Sequence, residues 1–216
     1  MLRRSFLASA AGTAATAMLP RPSIAQSAGT RTLVFVPQAN LTSLDPIWTT
    51  ATVTRNYGYM VFDTLYGTDD NLRPQPQMAE GHQVDQGGRR WTIKLRDGLR
   101  FHDDEPVLAR DCAASLRRWM KRDALGGTIA GLLDALEAAD DRTIVFRLKR
   151  PFPPLLDALA KTQPSPAMIM PERIAQTDPF QQIAEVIGSG PFRWVSAEYV
   201  PGSRAVFEKF AGYKPR

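Results

Sequence analysis

Apolar and polar residues alternate most clearly between Trp91 and Leu95. Trp91, Ile93 and Leu95 are apolar, and the residues between them are polar. This two-residue period is typical of a strand with one buried face. Val84 and Asp85 precede this segment, and the Gln-Gly-Gly sequence at 86–88 separates the two. The pattern therefore predicts a β-hairpin.

Other apolar patterns predict helices and strands in a mixed order. A helix is predicted over 107–120, because four apolar residues recur there at helical spacing, namely Leu108, Cys112, Leu116 and Trp119. Cys112 on this stripe is predicted to be a buried structural thiol. Further predictions are strands at 32–36, 144–148, 168–170, 192–195 and 204–208, helices at 53–64 and 151–161, and a loop at 126–127. The predicted fold class is α/β, in the sense of mixed α and β.

The first 25 residues have the pattern of an export signal. Arg3 and Arg4 precede an apolar stretch of mostly small residues at 6–19, and Ser23 and Ala25 are the small residues that a signal peptidase recognises. The stretch is shorter than the about 20 residues of a membrane span. The paired arginines also resemble a twin-arginine signal, so both export routes stay open. Without a nearby cysteine, we expect a soluble periplasmic protein that has no lipid anchor.

Charge and cysteine content exclude some classes of protein. The formal net charge is +5, and the first 25 residues contribute three arginines and no acid. The exported chain is therefore close to neutral, and its longest basic runs are dipeptides such as Arg89–Arg90. We expect no nucleic-acid partner. The single cysteine excludes an intrachain disulfide.

The segment at 91–111, WTIKLRDGLRFHDDEPVLARD, resembles a block of the family-5 extracellular solute-binding proteins. These are the periplasmic peptide- and nickel-binding receptors of ABC importers, and their block is F-x-L-R-x-G-x-x-F-H-D-G-x-P-x-T-A-x-D-V. Other segments that resemble the family follow the same order, namely SLDP at 43–46, VFDTL at 61–65, LRP at 72–74, MAE at 78–80, ADDRTIVF at 139–146, GSGPF at 188–192 and FEKF with Tyr213 at 207–213.

Two residues depart from the block. Asp104 stands where the family has glycine, and Leu108 stands where it has a threonine or serine that caps the next helix. Leucine has no hydroxyl to accept a backbone N–H bond. The helix is therefore predicted to begin at Pro106 or to be capped by Glu105 or Asp104.

The resemblance implies the fold of a type II periplasmic binding protein. Residues 26–216 would form lobe I, with an inserted subdomain at roughly 57–148, and the chain would stop before the second lobe. Members of the family are more than twice as long and close two lobes around the ligand. Because closure draws on contacts from both lobes, this chain alone is expected to bind weakly or not at all.

The resemblance also implies where a ligand binds. Two loops line the cleft in the family. The first, after the LDP turn, contributes Trp48, Thr49 and Thr50, together with Ile47. The second, after the 107–120 helix, contributes Asp123, Gly127 and Thr128, together with Arg122 and Gly126. Trp48 is alternatively a core residue, and Asp123 is either a partner for a ligand amine or a solvated loop acid.

The function implied by the resemblance is the periplasmic substrate-binding component of an ABC transporter. It would capture a peptide or similar small solute, act as a monomer, and deliver the solute to permease subunits in the inner membrane. No catalysis, cofactor or metal is expected.

Two alternatives stay open. A secreted hydrolase or metal-dependent enzyme would use the cluster formed by His102, Asp103, Asp104 and Glu105. Adjacent residues seldom point at one centre, and Ser189 lacks the G-x-S-x-G context of a hydrolase nucleophile. A stand-alone module with scaffold or chaperone-like binding is the other alternative.

Overall fold

The computed structural model of this protein describes residues 32–216. The predicted export signal at 1–25 lies outside the described residues. Residues 32–36 form neither helix nor strand, so the strand predicted there is wrong. An apolar run forms a strand only where a neighbouring strand takes its backbone hydrogen bonds, and sequence pattern alone does not supply that neighbour.

Helices and strands are mixed along residues 37–216. The helices are α1 (Thr52–Val61), α2 (Ala109–Met120), α3 (Ala124–Leu132), α4 (Leu155–Ala160) and α5 (Glu172–Ala175). The strands are β1 (Asp63–Thr64), β2 (Tyr66–Thr68), β3 (Pro74–Pro76), β4 (Ala79–Asp85), β5 (Arg90–Leu95), β6 (Leu133–Ala138), β7 (Thr143–Leu148), β8 (Met168–Ile169), β9 (Phe192–Trp194) and β10 (Phe207–Lys209). None of the helices in this described part is long and apolar enough to cross a membrane.

The largest sheet is antiparallel and has the strand order β4-β5-β7-β6. Val84 lies opposite Trp91, which confirms the predicted hairpin between β4 and β5. Ile93 and Leu95 are fully buried, whereas Lys94 is exposed, as alternation requires. Helix α2 packs against β6 and β7. Cys112 on α2 is fully buried as predicted, and burial raises the pKa of its thiol.

Helix α2 begins later than predicted. It starts at Ala109, and the preceding Leu108 has extended backbone angles, so a start at Pro106 or a cap by Glu105 or Asp104 is wrong. The leucine side chain cannot accept a hydrogen bond from the first turn. Instead, the carboxylate of Asp111 accepts the backbone N–H of Leu108 at 2.8 Å, which satisfies a free donor from within the helix. Asp104 takes the left-handed conformation, with φ of 65°, that the family's glycine adopts easily.

The loop predicted at 126–127 is also wrong, because both glycines lie inside α3. Gly126 is required for close packing. A Cβ atom on Gly126 would lie 2.9 Å from the Cα of Met120 and 3.1 Å from the ring of Trp119. Glycine therefore allows α3 to approach the end of α2. The helix predicted at 53–64 ends at Val61, where the chain enters β1.

The GSGPF segment packs against the end of α1. The backbone N–H of Gly190 donates to the carbonyl of Val61 at 2.9 Å. A Cβ atom on Gly188 would lie only 2.0 Å from the same carbonyl oxygen, so only glycine fits. The strands that follow, β9 and β10, pair with each other, with Trp194 opposite Phe207, and they overlap the strands predicted at 192–195 and 204–208.

Candidate functional site

A buried ion pair joins the SLDP segment to helix α2. Asp45 precedes α1, and Arg118 lies near the end of α2. Arg118 Nη2 lies 2.7 Å from Asp45 Oδ2, and Nη1 lies 3.1 Å from Oδ1. The Asp45 and Arg118 side chains are 0% and 1% exposed. The two parallel bonds fix the relative orientation of the planar groups as well as their distance.

Backbone groups satisfy most of the remaining capacity of this pair. Asp45 also accepts the N–H groups of Ile47 at 3.0 Å, Trp48 at 3.2 Å and Ile183 at 3.1 Å. Arg118 also donates to the carbonyl oxygens of Thr177 at 3.3 Å and Gln181 at 2.8 Å. The pair therefore holds three segments together, namely loop 43–50, the end of α2 and loop 177–183.

Arg122 is more exposed than Arg118, and it joins the same three segments. It lies one helical turn beyond Arg118, and its Nη2 donates to the carbonyl of Trp48 at 2.8 Å. Its guanidinium carbon lies 4.7 Å from the centre of the Trp48 ring and 5.2 Å from that of Phe180. Trp48 is half-buried, and Phe180 is 63% exposed. Cation–π contacts thus combine a cation and two aromatic rings at one face. We call this group the aromatic face.

The three predicted residues of the first loop lie at this face or next to it. Trp48 belongs to the aromatic face itself, and it is half-buried rather than a fully buried core residue. Thr49 is half-buried, and its hydroxyl accepts the N–H of Ala51 at 3.2 Å. Thr50 is exposed.

The second predicted loop is the first part of α3. Asp123 is buried and caps the helix, since its Oδ1 accepts the N–H of Gly126 at 2.9 Å. Its Oδ2 forms an ion pair with Lys161, so both carboxylate oxygens have partners within the chain. The alternative of a solvated acid is wrong. Gly127 and Thr128 are exposed, and the hydroxyl of Thr128 donates back to the carbonyl of Ala124.

Phe180 is a member of the aromatic face that sequence reasoning missed. It lies in loop 177–183 between Pro179 and polar residues, and no periodic pattern marks it. Its proximity to Trp48 arises because Asp45 and Arg118 hold that loop by bonds to its backbone. The only available signal was an aromatic side chain in a polar loop, which is too weak to predict a site.

Comparison with known proteins identifies the family. Residues 73–216 match the family model described as bacterial extracellular solute-binding proteins, family 5, middle region. The chain belongs to this family.

The relatives that match this chain are much longer than it. The chain is 36% identical over 209 residues to y4tO of Sinorhizobium fredii, a probable peptide ABC transporter periplasmic-binding protein. The match covers 95% of this chain and 39% of that protein. The chain is 30% identical over 193 residues to the glutathione-binding protein GsiB of Escherichia coli, covering 84% of this chain and 35% of that protein. The chain thus spans about two fifths or less of the length of these relatives.

Solved structures show that the fold is that of part of a type II periplasmic binding protein. The solute-binding protein MoaA of A. tumefaciens, solved with mannopinic acid, matches with a TM-score of 0.69 and 27% identity over 81% of this chain and 36% of its own. The substrate-binding domain of an oligopeptide ABC transporter from Bacillus anthracis matches with a TM-score of 0.67 and 20% identity over 83% and 38%. At that identity the second match shows the fold alone.

The His102 cluster does not converge on one point in this family-5 chain. His102 is buried, its Nε2 lies 3.0 Å from the carbonyl of Gly190, and burial lowers its pKa. Asp103 bonds Arg173 at the surface, and Asp104 and Glu105 are exposed. Among residues 32–216, no group of three or more His, Cys, Asp or Glu side chains could hold a metal ion.

A separate cavity of about 280 Å³ has a buried acid, Asp63, in its wall. Its lining residues are Tyr59, Phe62, Asp63, Thr64, Gly67, Thr68, Gln77, Thr162, Pro191 and Tyr213. Gln77 Nε2 lies 3.3 Å from Asp63 Oδ2 and 3.0 Å from the hydroxyl of Tyr213. The pKa of Asp63 is raised to about 6, mainly because its carboxyl group is buried. Sequence reasoning noted Asp63 within a family segment but assigned it no role.

Arg118→Met tests the buried pair. The substitution leaves the Asp45 carboxylate buried without its cation, so we expect unfolding to require about 3–5 kcal/mol less free energy. Arg110→Met is the matched control, since Arg110 lies on the same helix with a side chain 64% exposed. It should cost less than about 1 kcal/mol. Urea unfolding followed by tryptophan fluorescence measures both.

The double variant Asp45→Asn/Arg118→Met separates lost charge pairing from lost packing. Because it removes the uncompensated charge, it should be more stable than Arg118→Met alone. Equal losses in the Arg110 and Arg118 variants would show that the buried pair does not hold the site together.

Asp63→Asn tests the buried acid. The folded protein raises the pKa of Asp63 from 3.8 to about 6, so it holds the proton more tightly than the unfolded chain. The stability this provides is fully present below pH 4 and is lost as the pH rises through 6, by about 2–3 kcal/mol. Asparagine does not titrate, so the variant should lose less stability between pH 4 and pH 8.

Urea midpoints across this pH range measure the effect of Asp63. Asp134→Asn is the control, because Asp134 is exposed on β6. An unchanged pH slope in Asp63→Asn would contradict the assignment of this dependence to the buried carboxyl.

Proposed function

We propose that this chain is the ligand-binding part of a periplasmic substrate-binding component of an ABC transporter. It captures a peptide or similar small solute and passes it to permease subunits in the inner membrane. The observation that carries the proposal is the aromatic face, which the Asp45–Arg118 pair assembles from loop 43–50, the end of α2 and loop 177–183. Membership of family 5 and relatives named for peptide and glutathione binding support it.

The proposed ligand surface consists of the aromatic face, the two threonines of the first loop, and Gly127 and Thr128 in the first part of α3. Trp48 supplies a large ring, and Thr49, Thr50, Gly127 and Thr128 supply hydroxyl and backbone groups. We assign Asp123 to holding α3 in place rather than to a ligand amine, since Gly126 and Lys161 occupy its carboxylate. The specificity for the solute then depends on the Trp48 and Phe180 rings and the Arg122 guanidinium, as well as on any second lobe.

The proposed mechanism contains no bond-breaking step. Binding a solute between two faces releases ordered water from the rings and adds contacts that favour a closed form, which the transporter then recognises. The export signal at 1–25, a location in the periplasm without a lipid anchor, the monomeric state and the inserted subdomain at roughly 57–148 belong to the same proposal. No cofactor or metal takes part in it.

A thermal-shift screen tests the proposal on the longest natural form of the protein that carries this sequence. The probes are tryptic casein peptides and glutathione. A solute that binds only the folded protein stabilises it by about 2.7 kcal/mol at 100 times its Kd, so Tm should rise with concentration. Mass spectrometry should recover the bound solute chemically unchanged.

Trp48→Ala should abolish most of the shift, because it removes a ring and a support for Arg122. Tyr59→Ala is the control, since Tyr59 is an aromatic residue that is 36% exposed and lines the Asp63 cavity. Turnover of the solute, or a loss of binding in Tyr59→Ala with none in Trp48→Ala, would overturn the proposal.

A further inference from the structure

Arg122 differs from Arg118 and Lys161, the two other cations of the site, in having no carboxylate partner among residues 32–216. Arg118 pairs with Asp45, and Lys161 pairs with Asp123. No ion pair formed within residues 32–216 includes Arg122, although the residue is partly exposed to solvent. The aromatic face therefore carries one positive charge that the described part of the protein does not neutralise.

The position of the Arg122 guanidinium is nevertheless fixed. The Trp48 and Phe180 rings lie 4.7 and 5.2 Å from its central carbon, and the carbonyl of Trp48 accepts one of its hydrogen bonds at 2.8 Å. A guanidinium has five N–H donors in a rigid, planar arrangement. The described residues leave the other four without hydrogen-bond acceptors. Donors that are held in place in this way lose little entropy when a ligand binds.

This arrangement matches a carboxylate better than other anions. A planar carboxylate accepts two parallel N–H bonds from one guanidinium. A guanidinium can bind a phosphate in the same way, but a phosphate carries more charge, and Arg118 and Lys161 already have acidic partners. Phe180, 63% exposed beside Arg122, offers an apolar surface for a group adjacent to the carboxylate.

We propose that Arg122 is the residue that recognises a carboxylate of the captured solute, and that Trp48 and Phe180 hold its guanidinium ready for this contact. The inference rests on the proposed function and narrows the ligand class to solutes with a free carboxylate next to an apolar group. Solutes whose carboxylates are blocked as amides bind weakly.

The test compares two peptide pools on the longest natural form of the protein. One is tryptic casein peptides, and the other is the same pool with its carboxylates converted to amides by carbodiimide and ammonium chloride. The variants are Arg122→Gln and Arg122→Lys, with Arg110→Gln as the control on the exposed side of α2. The readouts are Tm without peptide and the peptide concentration that gives half of the maximal shift.

We expect Arg122→Gln to require about tenfold to hundredfold more of the free peptides, the range for a lost hydrogen bond to a charged group. Arg122→Lys should lie between this variant and the wild type, Arg110→Gln should match the wild type, and all should have similar Tm without peptide. The amidated pool should be weaker on the wild type by a similar factor.

Two outcomes separate this inference from the proposed function. If the wild type binds the free peptides, and Arg122→Gln binds them equally well or the amidated pool binds as tightly, the carboxylate assignment fails and the proposed function stands. If neither pool shifts the Tm of the wild type, both fail. The comparison of pools on the wild type decides the matter even if a variant does not fold.

Discussion

The buried ion pair between Asp45 and Arg118 is the constraint on which the candidate site depends. Removing two charges from water is costly, and a buried pair is tolerable only when its other hydrogen-bonding groups are also satisfied. Here backbone groups from loop 43–50 and loop 177–183 satisfy them. Moving either loop away would leave a buried charge short of partners, so the pair makes the arrangement of the three segments cooperative.

Arg118 lies near the end of α2 and Arg122 lies just beyond it, and the two differ in burial and therefore in role. Arg118 is buried and has an acidic partner, so its role is to hold neighbouring segments together. Arg122, one turn further, is partly exposed and lies against two rings, so it is available to a solute. Lys161 and Asp123 neutralise each other nearby and anchor the start of α3. The aromatic face therefore carries a positive charge that no carboxylate of residues 32–216 neutralises, as the proposed capture of a carboxylate requires.

The pattern of apolar residues predicted individual helices and strands better than it predicted which segments contact each other. The β4–β5 hairpin and the buried stripe of α2 follow from periodicity, whereas strand 32–36 failed because pairing is not local. Resemblance to the family predicted Trp48 as a ligand contact. It could not reveal that Asp45 pairs with a residue 73 positions away, or that Phe180 joins the same face. The Gly126–Gly127 pair predicts a loop, whereas the reason for Gly126, the nearby Trp119 ring, lies in another helix.

The central claim is that a solute binds where the Asp45–Arg118 pair gathers three segments. Hydrogen exchange followed by mass spectrometry, on the longest natural form with and without tryptic casein peptides, tests it most directly. The account predicts that added peptides slow exchange together in segments 43–50, 118–128 and 177–183. Slower exchange confined to other segments, such as that around His102, would contradict it.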